Sequence, residues 1–536
     1  MSTQVLNPTK PRREPRLRRW LSSPVFLLAL TAGLSAFVIQ SGELGTADTT
    51  HRLQTSTWLW TDEPQVFPNE YPEFGIHGRD GKLYSWYGIG QSLLMLPADI
   101  VGTNLEQLPV FANYGVDPGV RSIVVSYSTN ILLNVLTALV CFRFLRRLRF
   151  TPRESVAGVL ALLFCTTHLH YTQNMMENNY IMLLTFTGLT FQYEWVLTGS
   201  RRALFVGSAA FGLNLLTRLT TGLDLMAGGM FLLLVLWFDD VWGRALWQRF
   251  VTYTKTAAPV YLFFLLMDRW YQHFRFASWT TTYIALYGKE ARMLDPSLPA
   301  NYPWELPFHV GFFGALFKSE KSIFLFDPLL LLTVLVSVLA WRRFRRDVKA
   351  YVISAWLLLF AYISFYAKYT VWSGDFAWGD RYVSTAAEMA AFISVPLLLR
   401  YRAELGRFVW LIGAALIAVS CAIQIASLAF WLPLEIYQMD TLGHPTLVVA
   451  LRFKNIVAFG FGKMDAWGLV NDSMTYDPWD YVHITTWNFL PFLLRRVGVA
   501  PRWVVNLAFA VWYVALAATA WAFWRLRTVL RCRVRE

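Results

Sequence analysis

The sequence predicts an all-α polytopic membrane protein of roughly twelve transmembrane helices, with interfacial helices in its first large outer loop. Three observations lead there. Hydrophobic residues make up 55% of the 536 positions and charged residues 15%, and the mean hydropathy is +0.38, a balance that a water-soluble globule does not reach. Apolar stretches long enough to cross about 30 Å of hydrocarbon recur along the chain, and each must be helical because lipid offers no partner to a free backbone amide. The 24 Trp, 24 Tyr and 40 Phe complete the pattern, many lying near the ends of those stretches, where a ring with one polar edge is stable.

Taken in order, the stretches that read as spans are 24–40, 120–142, 155–171, 179–197, 204–219, 221–238, 256–268, 328–341, 351–366, 382–399, 408–431 and 503–524. The net charge of +13 raises the question of nucleic acid, but the basic residues fall in short clusters between apolar stretches, so no nucleic-acid partner is expected. The clusters lie at 10–19, 143–153, 201–202, 244–255, 342–349, 400–407 and 525–535. Placing all of them in the cytoplasm satisfies the positive-inside rule along an alternating path with both termini inside. The resulting organisation is a basic cytoplasmic tail (1–23), a transmembrane catalytic bundle (24–431) with outer loops at 41–119 and 269–327, a further outer loop (432–502), and a last span with its basic tail (503–536). Within the first outer loop, 87–101 is apolar but short and broken by glycine, and it reads as an interfacial helix.

Cys141, Cys165, Cys421 and Cys532 are dispersed, three in apolar spans and one in the tail, which leaves no metal-spaced pair or disulfide framework. The N-terminal basic segment followed by 25–39 reads as an uncleaved signal anchor. No internal repeat, low-complexity tract or soluble domain is evident. The outer loops are therefore where an aqueous-facing site is expected.

Four clusters stand out there. The first is Asp48-Thr49-Thr50-His51-Arg52, immediately after the first span; four-residue spacing puts the carboxylate and the guanidinium on one helix face, and a partly desolvated carboxylate steered by an arginine can take a proton from a hydroxyl or amine. A surface ion pair is the plainer alternative. The second cluster comprises Lys289, Arg292, His309, Lys318 and Lys321, cations on the outer side against the positive-inside trend. Lys318 and Lys321 fall at headgroup depth, where an ammonium either holds a phosphate or snorkels from a helix end. The third runs from Lys368 to Tyr382 and packs Trp372, Asp375, Trp378, Asp380 and Arg381 between two spans; an arginine there can grip phosphate with two parallel bonds while the indoles wall a sugar or an isoprenoid. The fourth is His168, His170 and Glu177. These are types that bind a divalent metal, but histidines two apart point to different sides of a helix, so no metal set is assigned and Glu177 is expected to bond a sugar hydroxyl or to act as a substrate-orienting acid.

The order of these features resembles the C-type (GT-C) superfamily of polytopic, polyprenyl-phosphate-sugar-dependent glycosyltransferases, which contains protein O-mannosyltransferases and the lipid A aminoarabinose transferase. Members carry an acidic residue just after the first span, matched by Asp48, then a Gly-hydrophobic-Pro stretch, matched from Tyr87 to Pro97. A Ser-Glu pair after the third span is Met176-Glu177 here, keeping the acid and losing the hydroxyl. A mid-bundle arginine segment is similar to Leu216-Thr217-Arg218-Leu219-Thr220. A Gly…Ser-Pro-x-Lys/Arg-Gly-Leu-Phe…Ser-Pro segment looks like the run from Gly314 to Pro328, with Glu320 and Ser322 where Pro and Gly usually stand. A Trp-Gly-Pro-Arg-Tyr segment becomes Trp378-Gly379-Asp380-Arg381-Tyr382.

The resemblance implies an enzyme that transfers a sugar from a polyprenyl-phosphate donor to a glycan, lipid or protein acceptor on the non-cytoplasmic side of a bacterial inner membrane, with inversion at the anomeric carbon where attack is in line and direct. Asp48 is then the general base, and Arg381, Lys318, Lys321 and Arg218 neutralise charge on the departing phosphate, with Arg52, Glu177 and Asp380 also binding substrate. No cofactor is required by this reading, although a divalent metal stays open. The rival is a multi-span transporter or lipid flippase, whose usual signs, internal repeats and broken helices at the midplane, are not evident.

Overall fold

The computed structural model describes residues 23–67, 75–78, 80–111, 118–375, 377–431, 433–470, 486–498 and 500–532. The basic cluster at 10–19, the start of the signal anchor and the end of the C-terminal tail lie outside them, as do residues 432, 471–485 and 499 of the 432–502 loop.

The chain begins with α1 (Pro24–Ile39), whose Ser23 side chain accepts the Phe26 N–H and whose proline takes the first helical position, where no N–H is needed. After a turn come α2 (Ala47–Trp58), a two-stranded hairpin β1 (Gly75–His77) and β2 (Leu83–Ser85), and α3 (Gly90–Glu106). The hairpin pairs Ile76 with Tyr84, and strands of three residues are too short for alternation to reveal them. In α3, which covers most of the stretch expected to be an interfacial helix, Leu93, Ile100, Val101 and Leu105 are exposed and Pro97 lies inside the helix.

Next are α4 (Val120–Arg147), α5 (Pro152–Cys165), the short α6 (His168–Gln173), α7 (Asn178–Thr198) and α8 (Arg201–Leu215). Buried Thr129, Asn130 and Asn134 turn inward from α4, and the Asn130 amide reaches Gln40 at 3.0 Å while that of Asn134 reaches the Ala32 carbonyl at 2.7 Å, so the polar stripe faces α1 rather than lipid. A reciprocal Thr151–Glu154 capping box starts α5, and Gly199, at φ 72°, ends α7. Then follow α9 (Gly222–Phe238), the 34-residue α10 (Gly243–Phe276), α11 (Tyr283–Leu294), α12 (Phe308–Phe317), α13 (Ile323–Phe326), α14 (Leu329–Ala340) and α15 (Arg346–Tyr366). The segment expected to be an outer loop at 269–327 is thus largely helical. The last described elements are α16 (Ser384–Phe392), α17 (Ser394–Arg400), α18 (Arg402–Ser427), α19 (Pro433–Asp440), α20 (Val448–Gly460), α21 (Leu490–Val497) and α22 (Arg502–Cys532).

Among the described residues, six helical segments are long and apolar enough to cross a membrane: 120–147, 219–238, 243–276, 346–366, 402–427 and 502–531. The other predicted spans are helical but shorter, more polar or interrupted, as where 382–399 divides into α16 and α17, so the expected count of twelve is not established. Aromatic rings of Phe144, Phe186, Phe231, Tyr351 and Phe392 interlock α4, α7, α9, α15 and α16 at the centre of the bundle. Among the described residues the basic clusters gather at one end, where Arg400 bonds the Arg149 carbonyl at 2.7 Å and Glu154 at 2.8 Å, and Arg143 pairs with Glu194.

Helices α19 and α20, in a stretch expected to be loop, are joined by a fully buried pair in which Arg452 meets both Glu435 oxygens at 2.6 Å. Its remaining nitrogen, Nη1, donates to both the Ser427 and Phe430 carbonyls, so both charges of the pair are satisfied. Removing one partner leaves a buried charge alone. Glu435→Ala is therefore expected to cost about 3–5 kcal/mol of stability, read as a lowered unfolding midpoint in detergent micelles.

Candidate active site

At the end of the bundle opposite the basic clusters, a half-open cavity of about 280 Å³ collects residues from α2, the 86–88 turn, the start of α7, the turn after α8, the end of α10, α11 and the loop after α15. Each side chain arrives there for a local reason. Thr46 caps α2 by accepting the Thr49 N–H, and the Thr49 hydroxyl bonds the Met175 carbonyl, setting the first turn of α2 beside the turn that ends in Glu177. The far end of α2 is held by buried Asp99 of α3, which accepts from Thr57 and Trp60 at 3.0 Å and from Arg121 at 2.6 Å. Gly88 and Gly90 lie so close to Leu216 and Thr217 that a Cβ at either would collide with them, and the Gly90 N–H donates to the Leu216 carbonyl at 2.9 Å. That contact fixes the turn from which Arg218 projects.

Asp48 and Arg52 share a helix face but do not pair with each other. Arg381 donates to one Asp48 oxygen at 2.5 Å and the Tyr87 hydroxyl donates to the other at 2.7 Å. Arg52 pairs with Glu177 at 3.0 Å and stacks on the Tyr87 ring, its guanidinium carbon 4.1 Å from the centroid. Arg218 approaches Glu177 at 3.5 Å and lies over the rings of Tyr366 and Tyr382, while Arg381 lies over Tyr382. Three arginines thus interleave with two carboxylates at the floor of the cavity. The upper wall adds Trp86, Tyr283, Tyr287, Tyr369, Gln272 and an Asp268–Arg269 pair at 2.5 Å.

Burial alone would raise the Asp48 carboxyl, but Arg381 and Arg52, helped by the Tyr87 hydroxyl, hold it below the usual carboxylate range. Glu177 is likewise opposed by burial and held low by Arg52, Arg218 and Arg381. Tyr87 moves the other way, pushed well up by burial and by the Asp48 charge. Both acids are therefore ionised at neutral pH. Even so, several buried N–H groups on lining residues have no acceptor: Arg52 Nη1, Arg218 Nε, Gln272 Nε2, Arg275 Nε and Arg381 Nε. Five arginines line the cavity against four carboxylates, leaving one positive charge in excess.

The residues singled out in the sequence divide into two groups. Asp48, Arg52, Glu177, Arg218 and Arg381 line this cavity. Lys318, Lys321 and Asp380 are not among its lining residues. Lys318 lies on the surface with its side chain 53% exposed and pairs with Glu320 at 2.9 Å. Lys321 is buried, its ammonium taken up by main-chain carbonyls, and the Asp380 carboxylate accepts the Tyr382 N–H at 3.1 Å. Glu177, expected to bond a sugar hydroxyl or to orient substrate, lies in the cavity and is engaged there by Arg52 and Arg218. His168 and His170 diverge, the first to Asn134 at 3.1 Å and the second onto the Trp378 ring, and among the described residues no three His, Cys, Asp or Glu side chains are grouped to hold a metal. Sequence reasoning did not single out Tyr283 or Tyr287, since a tyrosine near a span end looks the same whether it faces headgroups or a cavity, nor Gln272.

No family model matches the sequence, and no curated protein matches it. Solved structures similar to it include the oligosaccharyltransferase of Archaeoglobus fulgidus in its apo form, at 12% identity and a TM-score of 0.46, covering 86% of this chain and 62% of that one. Another is the Archaeoglobus fulgidus oligosaccharyltransferase AglB in complex with an inhibitory peptide and a dolichol-phosphate, at 13% identity and a TM-score of 0.46, covering 88% and 63%. A third is ArnT from Cupriavidus metallidurans bound to undecaprenyl phosphate, at 14% identity and a TM-score of 0.40, covering 94% and 76%. The chain spans a little under two thirds of the archaeal proteins it matches.

Proposed function

We propose that this protein is a membrane glycosyltransferase that moves a sugar from a polyprenyl-phosphate donor to an acceptor hydroxyl or amine on the non-cytoplasmic side. The observation that carries the reading is the set of buried, unpaired arginine N–H groups around an ionised aspartate in one cavity. Such donors call for an acceptor-rich anion, and the excess of one positive charge suits a sugar phosphodiester, which carries one negative charge. The aromatic upper wall suits a sugar ring, whose C–H faces pack on tyrosine and tryptophan.

In this reading the acceptor oxygen or nitrogen attacks the anomeric carbon in line, and the bond from that carbon to the phosphate oxygen breaks. The acceptor proton passes to Asp48, and the phosphate leaves as a lipid-linked monoester whose new charge meets Arg381, Arg218 and Arg52. A single in-line displacement inverts the anomeric centre. The phosphate also competes with Asp48 for Arg381, so donor binding loosens the pair that holds the carboxylate low and makes it a better base at the moment it is needed.

In this reading the end that carries the described basic clusters faces the cytoplasm, following the positive-inside rule, and the cavity faces the other side. The test is transfer in proteoliposomes from a panel of polyprenyl-phosphate sugars carrying a labelled sugar. Release of free polyprenyl phosphate, matched by label on acceptor, is expected; solute or lipid flux without sugar release overturns the proposal in favour of a transporter.

A further inference from the structure

Lys321, in the turn between α12 and α13, donates to three carbonyls of one loop: Asp375 at 2.5 Å, Ala377 at 2.8 Å and Gly379 at 3.2 Å. An ammonium has three N–H donors and no acceptor, so these contacts use all it can offer and leave none for an anion. The residue is 8% exposed and does not line the cavity. Its three acceptors converge because the backbone passes through left-handed conformations at Gly374 (φ 74°), Asp375 (φ 57°) and Gly379 (φ 70°). Neighbouring carbonyls are also held from outside the loop: Tyr171 donates to that of Trp378 at 2.9 Å, and Asn178 donates to that of Arg381 at 2.7 Å.

Packed between helices with no regular structure of its own, this loop depends on borrowed donors for its buried carbonyls. Lys321 supplies most of them. Arg381 follows Gly379 by two residues, and Gly374 lies so close to the Arg381 stem that a Cβ there would collide with it.

We propose that Lys321 is a positioning residue: its ammonium clamps the Asp375, Ala377 and Gly379 carbonyls and thereby fixes where the Arg381 guanidinium points, without meeting the substrate itself. The functional consequence rests on Arg381 as the phosphate grip; the clamp does not. A guanidinium aimed before the ligand arrives spends no binding energy on being ordered, which is the preorganisation that charge stabilisation needs. It also assigns distinct roles to two neighbouring cations, since exposed Lys318 has no such acceptors.

The experiment compares wild type with Lys321→Met, near in length but uncharged, by hydrogen exchange and mass spectrometry of the full chain in nanodiscs, with binding of undecaprenyl phosphate measured alongside. Amides in the 371–383 peptide are expected to exchange roughly tenfold faster or more in Lys321→Met, with α4 and α14 unchanged, and undecaprenyl phosphate affinity to fall about tenfold. Unchanged exchange in that peptide overturns the proposal, whether or not affinity falls; a fall without it assigns the ammonium to the phosphate directly. Faster exchange without any phosphate binding keeps the clamp and counts against the functional reading of the cavity, so the two failures are distinct. Should Lys321→Met unfold globally, Lys321→Arg takes its place. It retains charge but offers a planar fork to three carbonyls arranged around a point, so loosening confined to 371–383 is expected, and none overturns the clamp.

Discussion

Asp48→Asn is expected to lower sugar transfer by about 10²–10⁴-fold while leaving the protein folded, because the amide keeps the shape and the Tyr87 bond but cannot take a proton. Binding should move the opposite way. With its 2.5 Å partner neutralised, Arg381 is free to face an anion, so polyprenyl phosphate is expected to bind more tightly to Asp48→Asn than to wild type. Turnover in proteoliposomes and equilibrium binding of the phosphate lipid, measured on one preparation, separate the two effects. Near-normal turnover would remove Asp48 from the chemistry, and weaker phosphate binding would mean that the carboxylate organises the arginines rather than masks them.

The second large effect is expected at Arg381. Arg381→Met should reduce transfer by about 10²–10³-fold through loss of the charge facing the departing phosphate. It should also raise the pH at which activity is lost on the acid side. Burial opposes ionisation of Asp48 and Arg381 is the foremost group opposing that burial, so removing the guanidinium raises the carboxyl from its depressed position and moves the acid limb of kcat/KM upward. In wild type, where the carboxyl is held low, that limb lies below the ordinary carboxylate range. Arg381→Lys restores charge but neither the two-pronged grip nor the stacking on Tyr382, and is expected to recover only part of the activity. A pH–rate profile whose acid limb does not move in Arg381→Met would detach the arginine from the aspartate's titration.

The sequence carried the solvent and the side-chain types of this site more clearly than its partnerships. Hydropathy and helical spacing identify apolar helices and put Asp48 and Arg52 on one face, because both signals are local. Pairing is not local. Asp48 meets Arg381 from 333 residues away, and Arg52 meets Glu177 instead of the acid one turn before it. The case of Lys321 is sharper, since its acceptors are main-chain carbonyls that any residue carries, and no side-chain pattern could announce them. Similar limits explain the helices at 433–440 and 448–460, where Glu435 and Arg452 look like solvated charges until the fold closes around both. The 219–221 turn illustrates the same point, since Arg218 is aimed by glycines in another segment whose spacing alone does not say what they touch.

The uneven count of arginines and carboxylates around the cavity bears on what happens after the sugar has left. A bound diester brings one negative charge, whereas the monoester remaining after transfer carries roughly −1.5 to −2 at neutral pH. An electropositive chamber therefore holds its spent carrier more firmly than the fresh one. In the proposed cycle, departure of the lipid rather than bond making becomes the natural bottleneck, and membranes rich in vacant carrier lipid are expected to slow transfer by keeping the chamber full.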